Sequence, residues 1–111
     1  MIGSLAAVSA AIAVAAGAFG AHGAAGPQEA EWLRTGGVYQ LVHAVAAIGI
    51  MRFAKGPAMM LLLGAAIFAV TLYLMALGAP RWFGAITPVG GTLLIIGWLW
   101  AAMIMRGKIP R

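Results

Sequence analysis

The first 21 residues of the chain contain no charged side chain, and nearly all of them are apolar or small. Because an α-helix rises about 1.5 Å per residue, a run of ~20 such residues can cross the ~30 Å hydrocarbon core of a bilayer. The run lacks the basic start of a secretory signal peptide and is longer than the apolar core of one. It therefore predicts a retained transmembrane helix over about 2–21.

Three more apolar runs follow, over about 36–54, 57–78 and 88–105. Hydrophobic residues make up 64% of the chain and charged residues 8%, whereas a soluble protein of this size needs a far more charged surface. Thr87 suits a helix N-cap and Pro88 the first helical position. The sequence predicts one domain over 1–111, an all-α integral membrane four-helix bundle that is antiparallel with both termini on one side.

The most polar segment lies between the first two runs, over 23–35. Pro27 suits the start of a helix, and Glu31 and Arg34 are spaced to pair on one face. The segment is either a short helix at the membrane surface or an extension of the second span beyond Gly36 and Gly37.

The basic residues are distributed unevenly between the two ends of the predicted bundle. Two of them, Arg34 and Arg81, lie at the end that also holds both acids, and five lie at the end with the termini: Arg52, Lys55, Arg106, Lys108 and Arg111. The positive-inside rule predicts cytoplasmic termini. The net charge of +5 is scattered singly, so we interpret it as contact with lipid headgroups and not with nucleic acid.

Small residues recur along the first span, where Gly3, Ala7, Ala11 and Ala15 are four positions apart. Small residues at this period let transmembrane helices approach closely, so we expect the first helix to be the central, most protein-covered one. Trp98 and Trp100 are expected near the far interface. The glycines predicted to serve helix packing are Gly17, Gly20, Gly23, Gly90, Gly91 and Gly97.

The two histidines, His22 and His43, lie in or at the ends of apolar spans, and Tyr39 is one turn from His43. Ionisable groups at membrane depth require an explanation. One interpretation is a haem, metal or proton-relay site formed by His22, Tyr39 and His43. The other is that each neutral imidazole bonds a backbone carbonyl or a neighbouring helix. Because the chain has no cysteine and no carboxylate near either histidine in sequence, no metal site and no cofactor are predicted.

No enzymatic constellation emerges from the remaining polar residues. Ser4 and Ser9 are far in sequence from either histidine, and Glu29 and Glu31 do not share a helix face. The small multidrug transporters have a similar size and span count, but they depend on a glutamate in the first span, which this chain lacks. The sequence predicts a protein that is not an enzyme.

Several motifs appear in an order that resembles a known family: Gly17-Ala18-Phe19-Gly20-Ala21-His22-Gly23, Tyr39-Gln40-x-x-His43-Ala44, Phe68 with Leu72-Tyr73, Ile86-Thr87-Pro88-Val89-Gly90-Gly91, and Gly97-Trp98. The chain resembles the small membrane proteins of domain of unknown function 423, which are related to eukaryotic transmembrane protein 256. Ala69-Val70-Thr71 departs from the Ser-Gly-Ser more usual there. The resemblance implies a four-helix integral membrane protein without established activity and marks His22, Tyr39, His43, Tyr73, Thr87 and Pro88 as family-patterned positions.

These observations favour a structural or accessory component of a membrane complex, in the inner (cell) membrane of a bacterium. We expect its partners to be the lipid bilayer and either further copies of itself or other membrane subunits. The alternative is a protein that binds or transports a small ligand, haem or metal through His22, Tyr39 and His43 near the outer leaflet.

Overall fold

The computed structural model describes residues 1–106 as four long α-helices with one short 3₁₀ helix before the last. The helices are α1 (Ile2–His22), α2 (Pro27–Ile50), α3 (Lys55–Ala76) and α4 (Thr87–Met105), and the 3₁₀ helix covers Arg81–Ala85. The protein is all-α over the described residues. Lys108 and Arg111, which entered the topology prediction, lie outside the described residues.

Within residues 1–106, three segments are long and apolar enough to cross a membrane. They are Ile2–His22, Lys55–Ala76 and Arg81–Met105. The second helix, α2, is long enough at 24 residues but carries more polar side chains, which include Gln28, Glu29, Glu31, Arg34, Gln40 and His43.

The polar segment before α2 is partly helical. Pro27 opens α2, and the helix continues without a break through Gly36 and Gly37. This is the extension of the second span that the sequence left open, not a separate surface helix. The predicted pair also forms, because Arg34 donates hydrogen bonds of 2.8 and 3.0 Å to the two carboxylate oxygens of Glu31.

The first two helices pack along a line of very small residues, here called the α1–α2 seam. Its buried members on α1 are Ala6, Ala13 and Gly20, spaced by seven residues. A Cβ on Gly20 would lie 3.0 Å from the Leu33 side chain, and a Cβ on Gly3 would lie 3.5 Å from Met51. The start of α1 therefore lies beside the end of α2, and the end of α1 beside the start of α2.

The predicted period-four face of α1 is not the buried one, since Ala7, Ala11 and Ala15 are exposed. Residues seven apart return to nearly the same side of a 3.6-residue helix, whereas residues four apart drift by about 40° per step. The seven-residue set Ala6, Ala13 and Gly20 therefore lines a long contact better than the four-residue set.

The two inner helices are α2 and α3, and α1 lies at the edge of the bundle. Helix α2 packs against both α1 and α3, and α3 packs against α4. Only 11% of the α1 span is buried inside the protein, against 50% of the α3 span. The expectation that α1 is the most covered helix is therefore wrong. Its apolar side chains can face lipid without cost, whereas the polar side chains of α2 need protein partners.

Helices α3 and α4 approach each other closely through their backbones. A Cβ on Gly90 would lie 2.5 Å from the backbone nitrogen of Phe68 and 2.6 Å from the carbonyl oxygen of Gly64. Small residues on both sides of this contact allow dispersion contacts between the two backbones. The core beneath it is built mainly of alanine and leucine, with Ala58, Leu61 and Ala65 completely buried.

The connection to α4 depends on Gly78 and Thr87. Gly78 has φ of +112°, a conformation that residues with a Cβ rarely adopt, and it turns the chain directly after α3. Thr87 does not cap α4 through its side chain as the sequence suggested. Its hydroxyl instead lies 2.7 Å from the hydroxyl of Thr71 and joins α4 to α3. A neighbouring helix therefore satisfies the hydroxyl that the sequence assigned to a cap.

Candidate functional site

A polar side chain at the centre of the helices, Gln40, joins three of them. Its Nε2 donates to the hydroxyl of Ser9 on α1 at 3.0 Å, and its Oε1 accepts from the hydroxyl of Tyr73 on α3 at 2.7 Å. Gln40 is only 3% exposed. An amide left unpaired at such a position costs several kcal/mol by transfer estimates, so the three side chains act as one polar clamp.

His43, one turn further along α2, uses both ring nitrogens. Nδ1 lies 2.7 Å from the carbonyl oxygen of Tyr39, and Nε2 lies 3.0 Å from Nε1 of Trp98 on α4. A carbonyl can only accept, and an indole N–H can only donate. Nδ1 therefore carries the hydrogen, Nε2 is the acceptor, and the imidazole is neutral in this arrangement. The sequence suggested that a neutral imidazole would bond a backbone carbonyl or a neighbouring helix, and His43 does both.

The bond to Trp98 limits what else His43 can do. A metal or haem iron would need the lone pair on Nε2, which the indole N–H now occupies. A metal bound there would have to displace Trp98. The N–H of Trp98, a residue expected near the membrane interface, thus has its partner within the protein, on α2.

Tyr39 lies beside His43 with its ring between two helices. Its ring centroid is 4.5 Å from that of Phe68 on α3 and 6.2 Å from that of His43, nearly parallel to the imidazole at 13°. Tyr39 is 44% exposed. Within residues 1–106, no group accepts a hydrogen bond from the Tyr39 hydroxyl.

These aromatic side chains form the walls of an open groove of about 460 Å³ between α2 and α4, with α3 beneath it. We call it the aromatic groove. A volume of this size falls in the range typical of ligand sites, which are mostly apolar with a few placed polar groups. None of its lining residues is charged. They are Tyr39, His43, Phe68, Pro88, Gly91, Thr92, Leu94, Ile95 and Trp98.

His22 does not belong to this groove. It is exposed at the end of α1, close to the level where Gly20 meets Leu33 on α2. Leu33 and His43 are ten positions apart on α2, a distance of roughly 15 Å at 1.5 Å per residue. The three-residue candidate site therefore separates into a pair, Tyr39 and His43, and a distant His22. No group of three His, Asp or Glu side chains in residues 1–106 is placed to hold a metal ion.

The glycines expected to pack helices have different surroundings. A Cβ on Gly90 or Gly97 would meet α3, and one on Gly20 would meet α2. A Cβ on Gly91 would meet only Phe68 Cδ2, at 3.9 Å, and one on Gly17 would meet nothing within 4 Å. Gly23 lies against the ring of Phe19 from its own helix.

Some glycines in contact with neighbouring helices were missed in the sequence, among them the adjacent pair Gly36 and Gly37. A Cβ on Gly36 would lie 2.7 Å from the ring of Tyr73, and one on Gly37 would lie 3.1 Å from the carbonyl oxygen of Ala13. Their position beside the polar segment made them look like a boundary. Gln40 is the residue that could have indicated these contacts. A polar side chain in an apolar run needs hydrogen-bond partners on neighbouring helices, and those helices must then lie close to α2.

A second polar group covers the end of the protein near the start of α2. Arg81 donates to Oε1 of Gln28 at 2.8 Å and lies 5.8 Å from the ring centroid of Trp32. The hydrogen bonds from Arg34 hold the pKa of the exposed Glu31 carboxyl below its usual value. These contacts fix the 3₁₀ helix against α2 at the more polar end of the molecule.

Comparison with known proteins gives the family of the chain. The model of the family described as "Protein of unknown function (DUF423)" matches residues 16–91. A UPF0382 membrane protein of Haemophilus influenzae is 37% identical over 75 residues, which are 61% of this chain and 60% of its own. The UPF0382 inner membrane protein YgdD of Escherichia coli K12 is 36% identical over 92 residues, 76% of this chain and 68% of its own.

A UPF0382 membrane protein of Staphylococcus saprophyticus is 40% identical over 68 residues, 55% of this chain and 57% of its own. The chain thus spans less than two thirds of the Haemophilus and Staphylococcus relatives. No solved structure matches it. The family model covers the end of α1 and the turn after it, all of α2 and α3, and the start of α4. The chain is a membrane protein that belongs to the DUF423 family.

Proposed function

We propose that the chain crosses the membrane four times as an antiparallel bundle and acts as a non-catalytic accessory component of a membrane complex. The fourth crossing is α2, whose 24 residues extend about 36 Å. Its mid-helix polar side chains, Gln40 and His43, bond to neighbouring helices and do not face lipid. A helix with internally satisfied polar groups can lie in a bilayer despite its lower hydropathy.

The charges of the described residues support cytoplasmic termini. Arg52, Lys55 and Arg106 lie near one end of the helices, whereas Arg34 and Arg81 lie near the other end with both acids. Cytoplasmic loops carry the excess of Lys and Arg. The name of the Escherichia coli relative, an inner membrane protein, supports the inner membrane as the location.

In this proposal, the outward face of α1 is the surface that binds the partner. Ala7, Ala11, Ala15 and Ala18 are exposed on the side of α1 opposite the α1–α2 seam. Contact with lipid does not require small residues, whereas two helices can approach closely across them. We therefore expect a helix of a second copy or of another membrane subunit to pack here.

A single cysteine tests this assignment cleanly because the natural chain has none. Ala11→Cys places a thiol on the outward face, and Leu99→Cys places one on α4 at a residue that is 63% exposed. Each variant is labelled in native membranes with a maleimide photo-crosslinker and irradiated. We expect a discrete protein adduct from Ala11→Cys and none from Leu99→Cys.

The mass of the adduct distinguishes a second copy from another subunit. Adducts of equal yield from both variants, or no protein adduct from Ala7→Cys, Ala11→Cys and Ala15→Cys, would contradict the proposal. A protein that runs as a monomer in mild detergent, with nothing co-purifying, would count against it independently.

A further inference from the structure

We infer that the aromatic groove binds an uncharged, planar ring molecule that carries a carbonyl oxygen, in the chemical class of the membrane-soluble quinones. This binding is independent of the accessory role, because the groove lies between α2 and α4 and not on the outward face of α1. The groove contains walls for a flat ring, one free donor and no charge.

Hydrogen bonds within the protein hold two of the side chains that line the groove in place. Nε1 of Trp98 donates to His43, and Nδ1 of His43 donates to the carbonyl of Tyr39, so the indole and the imidazole are fixed across α2 and α4. The two ring centroids are 5.9 Å apart. A site whose side chains are already ordered loses less entropy when a ligand binds.

The donor is the hydroxyl of Tyr39. It has no acceptor within residues 1–106, and its ring is packed against Phe68 at 4.5 Å, which limits the positions that the hydroxyl can reach. A hydroxyl without a partner beside an apolar groove gains a hydrogen bond when a ligand brings an acceptor. A carbonyl oxygen on a ring that lies along the aromatic walls supplies this acceptor.

The absence of charge among the lining residues selects against other ligand classes. The groove offers no carboxylate to a cation and no Lys or Arg to a phosphate or carboxylate. Burying either charge without a partner would be costly. The flat rings of Tyr39, Phe68 and Trp98 favour a stacked ring over a lone acyl chain.

Gly91 gives a way to fill the groove without disturbing the helices. Its Cβ would meet only Phe68 Cδ2, at 3.9 Å, so Gly91→Leu projects into the groove. Gly49 on α2 is a matched control because a Cβ there meets nothing within 4 Å and Gly49 does not line the groove. Tyr39→Phe removes the donor and retains the ring.

The test uses the full chain in phosphatidylcholine nanodiscs with Trp98 as the only tryptophan, the other three being replaced by Phe. The probe is 2-methyl-1,4-naphthoquinone, and quenching of Trp98 fluorescence measures its binding. We expect saturable quenching that Gly49→Leu leaves unchanged and that Gly91→Leu weakens at least about tenfold. Tyr39→Phe should weaken it about 2- to 10-fold, the effect of one hydrogen bond.

A second probe separates the ring from the oxygen. 1-Methylnaphthalene has a similar ring and no acceptor, so it should bind the unaltered groove more weakly than the naphthoquinone and should be insensitive to Tyr39→Phe. Quenching that rises linearly with probe concentration and is the same in Gly91→Leu would show that lipid chains occupy the groove, and would overturn the inference. Equal binding of both probes would overturn the assignment of a carbonyl ligand. A thermal midpoint for Gly91→Leu equal to that of Gly49→Leu verifies that the variant is folded.

Discussion

The two adjacent glycines at the start of α4 provide a sharp test of the packing between α3 and α4. In Gly90→Ala the new Cβ would lie 2.5 Å from Phe68 N, 2.6 Å from Gly64 O and 2.9 Å from Phe68 Cα. All three atoms belong to the backbone, so no side chain can rotate away and the two helices must separate locally. In Gly91→Ala the nearest atom, Phe68 Cδ2, is 3.9 Å away, an ordinary contact.

The difference between the two variants isolates the cost of that separation. Both substitutions replace Gly by Ala in the same helix, so the gain in helix propensity, up to about 1 kcal/mol, cancels between them. Overpacking a close contact costs about 1–3 kcal/mol. We therefore expect Gly90→Ala to be less stable than Gly91→Ala by about 1–3 kcal/mol, a factor of about 5 to 150 in the folding equilibrium constant.

Unfolding by sodium dodecyl sulfate in mixed micelles, followed by tryptophan fluorescence and near-UV circular dichroism, measures this difference. The unaltered protein and Gly49→Ala, at a glycine with open space around its Cβ, are the controls. If Gly90→Ala and Gly91→Ala unfold within about 0.5 kcal/mol of each other, the backbone contact between Gly64 and Gly90 does not hold α3 against α4.

Two further predictions concern the α1–α2 seam and the polar clamp. Ala13→Leu, in the buried seam, should lower the free energy of unfolding by about 1–3 kcal/mol, whereas Ala11→Leu, on the exposed face, should change it by less than about 0.5 kcal/mol. Equal losses in the same micelle assay would show that the buried side of α1 is wrongly assigned. Tyr73→Phe removes the donor to Oε1 of Gln40 and should cost about 0.5–1.7 kcal/mol. Gln40→Leu should abolish the effect of a subsequent Tyr73→Phe, and a Tyr73→Phe cost that persists in that background would refute the clamp.

The helices themselves could be predicted from the sequence because length, apolarity and helix-start signals act locally. Pro27 and Pro88 mark the first turns of α2 and α4 in the structure as in the sequence. The pairing of Glu31 with Arg34 was also predictable, because residues three apart on a helix always share a face. The motif from Gly17 to Gly23 and the motif from Thr87 to Gly91 were sufficient to indicate the DUF423 family.

The neighbours of each helix were not predictable in the same way. On α1 nearly every residue is small or apolar, so the pattern offers no polar side to tell the face toward α2 from the face away from it. Ala7 and Ala13 look equivalent in the sequence, yet one is exposed and the other is 3% exposed. Where lipid and protein are equally apolar surroundings, hydrophobicity does not select the buried side.

In the candidate site, too, contacts within one helix were predictable and contacts between helices were not. The sequence brought Tyr39 and His43 together because they are one turn apart, and it associated His22 with them only because histidines are rare in this chain. The structure separates His22, adds Trp98 from 55 positions away, and links Gln40 to Ser9 and Tyr73.

By itself the sequence determined a helical membrane protein and its family, since these follow from apolarity, chain length and local motifs. Only the tertiary structure decided which small residues meet between helices. It also decided that Gly90 contacts α3 whereas Gly91 lines the groove, and that Trp98 donates to Nε2 of His43. Those properties depend on the relative rotation and register of the helices, which closest packing and a few buried hydrogen bonds select among faces that are otherwise chemically alike.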